Sequence, residues 1–523
     1  MADDIAAAKA ASDDEQRLHE LGYAQELMRR MSGFSNFAVS FTIISILSGC
    51  LTLYYFGMDE GGPAIIVWGW PIVGIFTLLV GLSMAEVCSS FPTAGGLYYW
   101  AAKLAPRNGA AWSWFTGYFN FLGQVAVTAG IDFGAAFFIN FLFSLWFNFN
   151  TTTHWHTILI YACVLLLHGL LNQFGIRLVA LLNDVSVWWH ITGVLIIVGA
   201  LAFGLKAGAH HASAKFVFTD LENLSGFHIG WWYILPVGLL MAQYTFTGYD
   251  ASAHMTEETH NAARSGPRGI VMSILISLIA GWILVIGVTF AIQKGNYLNE
   301  AAAGGAAPAQ IFIDSIGRTG AELLLLIVIG AQLFCGMSSV TANSRMIYAF
   351  SRDGALPGSR MWHKVNKRTR TPTNAIWLAA GGALVLGLPY LWNGAAYGAV
   401  TSIAVIGLYI AYVTPTYLRL RQGESFKRGP WHLGRRSYVI GWTAVVWVVL
   451  ITILFMLPQF AAPGKTSWPG FSWKTFNYAP IAVVVVIGYA GIYWLVSAHK
   501  WFKGPKVQGT EAELAAIEQE LSA

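Results

Sequence analysis

The chain is patterned as long apolar runs separated by short polar stretches, with neither the strict alternation of a sheet nor the narrow stripe of an amphipathic helix. About twelve runs occupy 34–57, 63–91, 109–147, 155–172, 177–206, 230–256, 269–293, 320–350, 373–392, 396–418, 438–460 and 476–499. Each approaches or exceeds the ~20 helical residues that cross ~30 Å of hydrocarbon. Numbered spans 1 to 12, they predict an all-α membrane protein. Two of them are interrupted mid-span by short polar, glycine-bearing stretches: Ser45-Ile-Leu-Ser-Gly-Cys50 in span 1 and Thr245-Phe-Thr-Gly-Tyr-Asp250 in span 6. In lipid every backbone N–H and C=O must be satisfied internally, so a helix can break near midplane only where it lines a protein cavity. Matching breaks in two halves of a chain point to a binding site for a solute and an ion.

Counting spans turns the breaks into an architecture. Breaks in spans 1 and 6 make the repeat unit five helices, with 34–206 as the first repeat and 230–418 as the second. A unit with an odd number of crossings enters the membrane from opposite sides, so the expected fold is a 5+5 inverted repeat with discontinuous helices 1 and 6 facing one another. Spans 11 and 12 (438–499) follow it. Residues 1–33 and 500–523 form polar ends, the latter with a capping box, Thr510 to Glu513, opening a short helix. Most of the 55 glycines are expected at close helix contacts; Gly49 and Gly248 are read differently because polar residues flank both.

Composition agrees with this class: 56% of residues are hydrophobic, 11% are charged and mean hydropathy is +0.55, against roughly 25% charged in soluble domains. Basic residues accumulate on the cytoplasmic side of membrane proteins. With both termini inside, 25 of the 31 lysines and arginines fall inside, and the net charge of +5 reflects topology. No nucleic-acid partner is implied. The first apolar run follows a charged segment without a small-residue cleavage site, so it is expected to be retained. The four cysteines lie in spans and imply no disulfide framework. The short ends and the lack of a targeting extension favour a bacterial inner membrane. They also argue against a permease-like sensor, which would carry a longer signalling extension.

Three motifs carry a family resemblance. They are Met84-Ala-Glu-Val-Cys-Ser-Ser-Phe-Pro-Thr-Ala-Gly-Gly-Leu-Tyr98; Thr247 to Glu258 followed by Gly266-Pro-Arg-Gly-Ile270; and Ser344-Arg-Met-Ile-Tyr-Ala-Phe-Ser-Arg-Asp-Gly-Ala-Leu-Pro357. Together they resemble the amino acid-polyamine-organocation superfamily. Leu21 to Arg30, leading into Phe34-Ser-Asn-Phe-Ala-Val-Ser-Phe41, resembles its amino acid/choline transporter family, which includes GABA permeases. The resemblance implies secondary-active import of a GABA-like or neutral amino acid by alternating access, with choline, another quaternary amine or a polyamine as the alternative substrate.

The breaks suit a zwitterion. Unwinding around Leu47, Ser48, Gly49 and Cys50, beside Ser45, frees N–H groups at the start of a half-helix, whose positive end favours a carboxylate. Unwinding across Phe246, Thr247, Gly248 and Tyr249 frees carbonyls, which favour an ammonium. In similar superfamily members an aromatic residue four positions before the span 6 glycine closes over the substrate; that position is Tyr244, with Phe246 as the alternative lid. For a quaternary amine, Trp188, Trp189, Tyr244 and Tyr249 would have to form an aromatic cage.

Ionisable residues inside a membrane are functional candidates. Setting Gly175-Ile-Arg177 against proton-coupled members places His190 where they carry a titrating lysine, and imidazole can exchange a proton near neutrality. A plain hydrogen-bonded histidine is the alternative. Sodium would instead need hydroxyls of span 8, from Ser338, Ser339 and Thr341, although hydroxyls in membrane helices often bond back to their own helix. Asp250 matches an acidic gating position and could equally cap the following half-helix. Asp132, Asp184 and Glu86 are weaker candidates, Glu86 as a contact to the inner loop. His254-Met-Thr-Glu-Glu-Thr-His260 lacks metal-ligand spacing. Without a Walker loop, nucleophile elbow or dinucleotide fingerprint, no catalytic residue, metal or organic cofactor is expected; a proton gradient, or a sodium gradient, supplies the drive. Nothing in the pattern names a protein partner beyond the bilayer.

Overall fold

A computed structural model describes residues 13–147, 153–174, 176–462, 472–473 and 475–522. Gly175, which sets the register for His190, and the basic residues Lys9, Lys465 and Lys474 lie outside them. Eleven helices among the described residues are long and apolar enough to cross a membrane. Span 1 runs Gly33–Ile44, then Gly49–Thr52 and Tyr54–Asp59. Spans 2 to 5 are Gly62–Ser90, Gly109–Phe147, His154–Phe174 and Ile176–Phe203. Spans 7 to 10 are Ala262–Ala291, Arg318–Arg352, Thr373–Gly387 and Ala396–Gln422; spans 11 and 12 are Ser437–Met456 and Ala479–Tyr493.

Span 6 is the twelfth. Its pieces, Trp231–Gly238, Leu240–Thr245 and Ala251–His254, are each too short to cross alone. Pro236 removes a donor from the first piece, and the polar break divides the other two. The two repeats correspond further: the longest helices are the third of each, with 39 residues in span 3 and 35 in span 8.

Spans 1, 3 and 10 are mostly buried, whereas spans 11 and 12 keep Val439, Val484 and Leu495 largely exposed, as a lipid-facing surface requires. Spans 3 and 10 meet backbone to backbone: a Cβ at Gly407 would lie 2.7 Å from the Gly123 nitrogen, the close approach that small residues permit in lipid. Short helices not expected from the pattern fill the connections, at Gly96–Leu104, Tyr297–Ala302 and Ala307–Ile316.

The described segments that precede span 1 and follow span 12 lie on one face, in contact. The Gln508 side chain accepts from the Ala24 N–H (2.8 Å), and Glu518 accepts from the Gln25 N–H (2.6 Å). Half of the capping box forms: Glu513 accepts from the Thr510 N–H at 2.7 Å, and the Thr510 hydroxyl also donates to Glu513. This face is shut by buried ion pairs. Arg345 pairs with Glu258 (2.8 Å), Arg352 with Glu257 (3.1 Å) and Arg419 with Glu86 (2.8 Å), while Arg29 donates to the Thr256 and Thr259 carbonyls. Glu86 also accepts from the Leu433 N–H and the Ser437 hydroxyl, which makes it the expected contact to the loop.

Candidate functional site

Span 1 stops at Ser45, which turns left-handed (φ 39°, ψ 82°) while its N–H still bonds to the Phe41 carbonyl. Helix resumes at Gly49. Among the described residues, the N–H groups of Ile46 and Leu47 between them donate to no protein acceptor. The Leu47 side chain packs away, against Gly193 of span 5, and the Cys50 thiol bonds back to the Ile46 carbonyl. The Ser48 hydroxyl donates to the side-chain oxygen of Gln332 on span 8 (2.6 Å).

Span 6 breaks at Gly248, which has a φ of +87° and no room for a side chain, since a Cβ there would lie 2.2 Å from Ile43 Cγ2. The carbonyls freed here differ from those expected. Tyr409 Oη donates to the Phe246 carbonyl (2.5 Å), Ser40 to the Tyr249 carbonyl (2.9 Å) and the Thr247 hydroxyl to the Tyr244 carbonyl (2.7 Å). Groups from spans 1 and 10 thus satisfy what the break exposes, as burial demands. The Thr245 and Thr247 carbonyls accept no hydrogen bond among the described residues. The two breaks abut: a Cβ at Gly49 would meet Thr245 Oγ1 at 2.8 Å and its Cα at 3.0 Å. The two broken helices therefore touch at Gly49 and Thr245, and the residues that carry the unpaired groups of each are buried.

The two lid candidates point apart. Tyr244 Oη is buried without a partner beside Gly130 of span 3, whereas the Phe246 ring packs on Trp70 of span 2 with centroids 4.7 Å apart. Of the two, Tyr244 is the one that reaches span 3. Trp188 and Trp189 are exposed on the outer surface of span 5, so they form no cage with Tyr244 and Tyr249.

His190 sits against the first break. Nδ1 is 2.8 Å from the Ser186 carbonyl, an acceptor only, so Nδ1 carries the hydrogen and Nε2 accepts from the Ser45 hydroxyl at 2.7 Å. Both ring nitrogens are engaged in the neutral form. Asp250 gathers Tyr412 Oη (2.7 Å), Gln124 Nε2 (2.7 Å) and His254 Nε2 (3.3 Å), so it ties span 6 to spans 3 and 10. The span 8 hydroxyls diverge: Ser338 bonds to the Phe334 carbonyl and to Asn183 of span 5, Ser339 to Thr128 of span 3 (2.8 Å) and Thr341 to Asn172 of span 4 (2.6 Å). Cys335 donates to the Ile43 carbonyl. The three hydroxyls that sodium would need are thus bonded toward three different helices.

On the face opposite the termini, a cavity of about 410 Å³ opens between Tyr55, Phe137, Asn140, Thr157, Tyr390 and Tyr397. Phe133, Tyr390 and Tyr397 close its floor, with centroids 4.7 and 5.6 Å from Phe133. The outer cavity ends at these rings, and the opposite face is shut by salt bridges.

A family model described as amino acid permease matches residues 31–487. The chain belongs to the amino acid permease family. It is 46% identical to the amino-acid permease BAT1 homolog of Oryza sativa and 45% identical to amino-acid permease BAT1 of Arabidopsis thaliana, each alignment covering 94% of this chain and 95% of the relative. It is 35% identical to the GABA-specific permease of Saccharomyces cerevisiae over 96% of this chain and 87% of that protein. These relatives are plant and fungal and lend no support to a bacterial membrane. The permease is a membrane transporter, not an enzyme.

Two groups of this permease escaped the sequence reading. Gln332 joins span 8 to the first break and leaves its Nε2 buried without a partner; an amide in an otherwise apolar run was the available signal. His168 of span 4 pairs with Asp132 of span 3, Nδ1 to Oδ1 at 3.0 Å, with neither side chain exposed. A histidine within a predicted span signalled it, but its partner, 36 residues away, did not.

Proposed function

We propose that the permease imports GABA or a neutral amino acid by proton-coupled alternating access, across a membrane whose cytoplasmic side carries both termini. The observation that carries this reading is the contact of Gly49 with Thr245. It brings the broken segment that carries the unpaired N–H groups of Ile46 and Leu47 against the one that carries the unpaired carbonyls of Thr245 and Thr247. Such a cradle binds a carboxylate and an ammonium through the main chain and leaves the side chain to Tyr244 and the wall. Choline lacks the carboxylate, and the tryptophans that would cage it face outward. The name of the yeast relative supports GABA as the first substrate to try. The divergence of Ser338 and Ser339 favours protons over sodium.

The test is uptake into proteoliposomes of labelled GABA, L-alanine, L-glutamate, L-arginine and choline, under imposed proton and sodium gradients in turn. GABA or alanine accumulating with an inside-alkaline gradient is the expected result. Choline uptake alone, or accumulation that follows sodium and ignores pH, would overturn it.

A further inference from the structure

The permease holds a buried acid–base pair apart from both breaks. His168 Nδ1 lies 3.0 Å from Asp132 Oδ1 and 3.1 Å from Oδ2, and neither side chain is exposed. Two features mark the pair as unfinished. Asp132 Oδ1 has no partner besides the imidazole it faces, and His168 Nε2 is buried with no partner. A histidine held only for structure is commonly bonded at both nitrogens, as His190 is. Span 8 makes room for it: a Cβ at Gly336 would fall 1.8 Å from Asp132 Oδ1 and 2.5 Å from His168 Cε1. A charged group inside the hydrocarbon is expensive, so a carboxylate is retained there where it has a use or a counter-charge.

The position links the pair to the moving parts. Gln332, one helical turn before Gly336, takes the Ser48 hydroxyl of the first break. Tyr244 Oη, from the second broken helix, lies against Gly130, on the same stretch of span 3 as Asp132. The ionisable groups that bear on the carboxylate are His168 and Tyr161 of span 4, Tyr244 of span 6 and Cys335 of span 8. Tyrosine and cysteine ordinarily titrate well above neutrality, so the pair is the unit that changes charge. The outer cavity reaches Asn140, eight residues along span 3 from Asp132, or about 12 Å at 1.5 Å per residue.

We propose that Asp132 and His168 together are the proton-carrying site of this permease. This rests on the proton-coupled reading above and moves the carrier from His190 to a pair on spans 3 and 4. With one proton shared, the pair is neutral overall; release of that proton leaves Asp132 ionised beside neutral His168. When spans 1 and 6 rock, Tyr244 and the Ser48–Gln332 bond withdraw, and the hydration of the pair changes. Its proton affinity then differs between the two conformations, which is what couples a proton to transport.

The experiment uses whole protein in proteoliposomes and whichever labelled amino acid of the panel gives the largest counterflow. Counterflow needs alternation but no gradient; accumulation under a one-unit inside-alkaline step needs the proton, and one proton per solute supports about tenfold. Asp132→Asn is expected to keep counterflow and lose accumulation, and Asp132→Glu, which keeps a titratable carboxyl, to recover it. Accumulation by Asp132→Asn equal to wild type would overturn the proposal. If Asp132→Asn does not fold, His168→Gln decides: the pH dependence of counterflow should shift, and an unchanged profile overturns the proposal. If the wild-type protein itself ignores the pH step, the proton-coupled reading falls with it, an outcome distinct from the other two.

Discussion

His190 Nε2 accepts from the Ser45 hydroxyl at 2.7 Å, so span 5 grips the left-handed residue on which span 1 breaks. A non-glycine residue in that conformation is held there by its surroundings at a cost of ~1–3 kcal/mol. Replacing the ring with Leu orphans the buried Ser45 hydroxyl, a further ~1–3 kcal/mol. His190→Leu is therefore expected to lower thermal stability and weaken binding, while His190→Gln, which can still accept, does so less. If the ring positions the break, His190→Gln keeps the wild-type pH dependence of uptake, read from initial rates between pH 5 and 8.

Gly248 meets two prohibitions at once, a φ of +87° and the Ile43 Cγ2 atom at 2.2 Å from an ideal Cβ. Gly248→Ala is expected to abolish binding of the labelled substrate. Adding Ile43→Ala removes the clash and leaves the backbone strain of ~1–3 kcal/mol. The double variant should regain part of the lost thermal stability and little of the binding. Equal loss in single and double variants would mean that the clash contributes nothing.

The face bearing the termini is held shut by Arg345–Glu258 and Arg352–Glu257, both pairs almost fully buried. Removing one partner of a buried pair leaves the other charge uncompensated, typically ~3–5 kcal/mol. Glu257 also accepts from the Ala94 N–H, a role the amide oxygen of Gln can keep, so Glu257→Gln isolates the loss of the ion pair. Cys88, buried on the last turns of span 2, reports the opening. Maleimide labelling should rise in Glu257→Gln, and adding Cys88→Ser should remove the increase, which assigns it to that thiol rather than to Cys163.

Glu300 lies on the short helix between spans 7 and 8, outside the spans. Burial pushes its carboxyl up to about 8, against a hydrogen bond from the Gln293 N–H that opposes the shift. A folded-state value above the unfolded one means that the native protein binds more protons between the two. This contribution is complete below the unfolded value near 4.5 and is lost as pH rises toward 8. Thermal stability is expected to fall between pH 5 and 8, and Glu300→Gln should flatten that slope.

What the chain alone determined was everything that depends on the solvent. Twelve crossings follow from run length against hydrocarbon thickness, and the observed ends of span 3, Gly109–Phe147, coincide with those expected. Breaks at Ser45 and Gly248 were legible because polar, glycine-bearing stretches have no other use at midplane. The count of five between them made the halves a repeat. Tertiary structure decided which freed groups stay free, because the caps come from residues remote in the chain: Tyr409 reaches the Phe246 carbonyl across 163 positions, and Ser40 reaches the Tyr249 carbonyl across 209. It also turned Tyr244 to span 3 and Phe246 to span 2, and divided Ser338 from Ser339. The meeting of Asp132 with His168 belongs to the same category. Local pattern reports how a segment meets lipid, whereas a hydrogen bond between two helices depends on their relative rotation, which only the packed bundle sets.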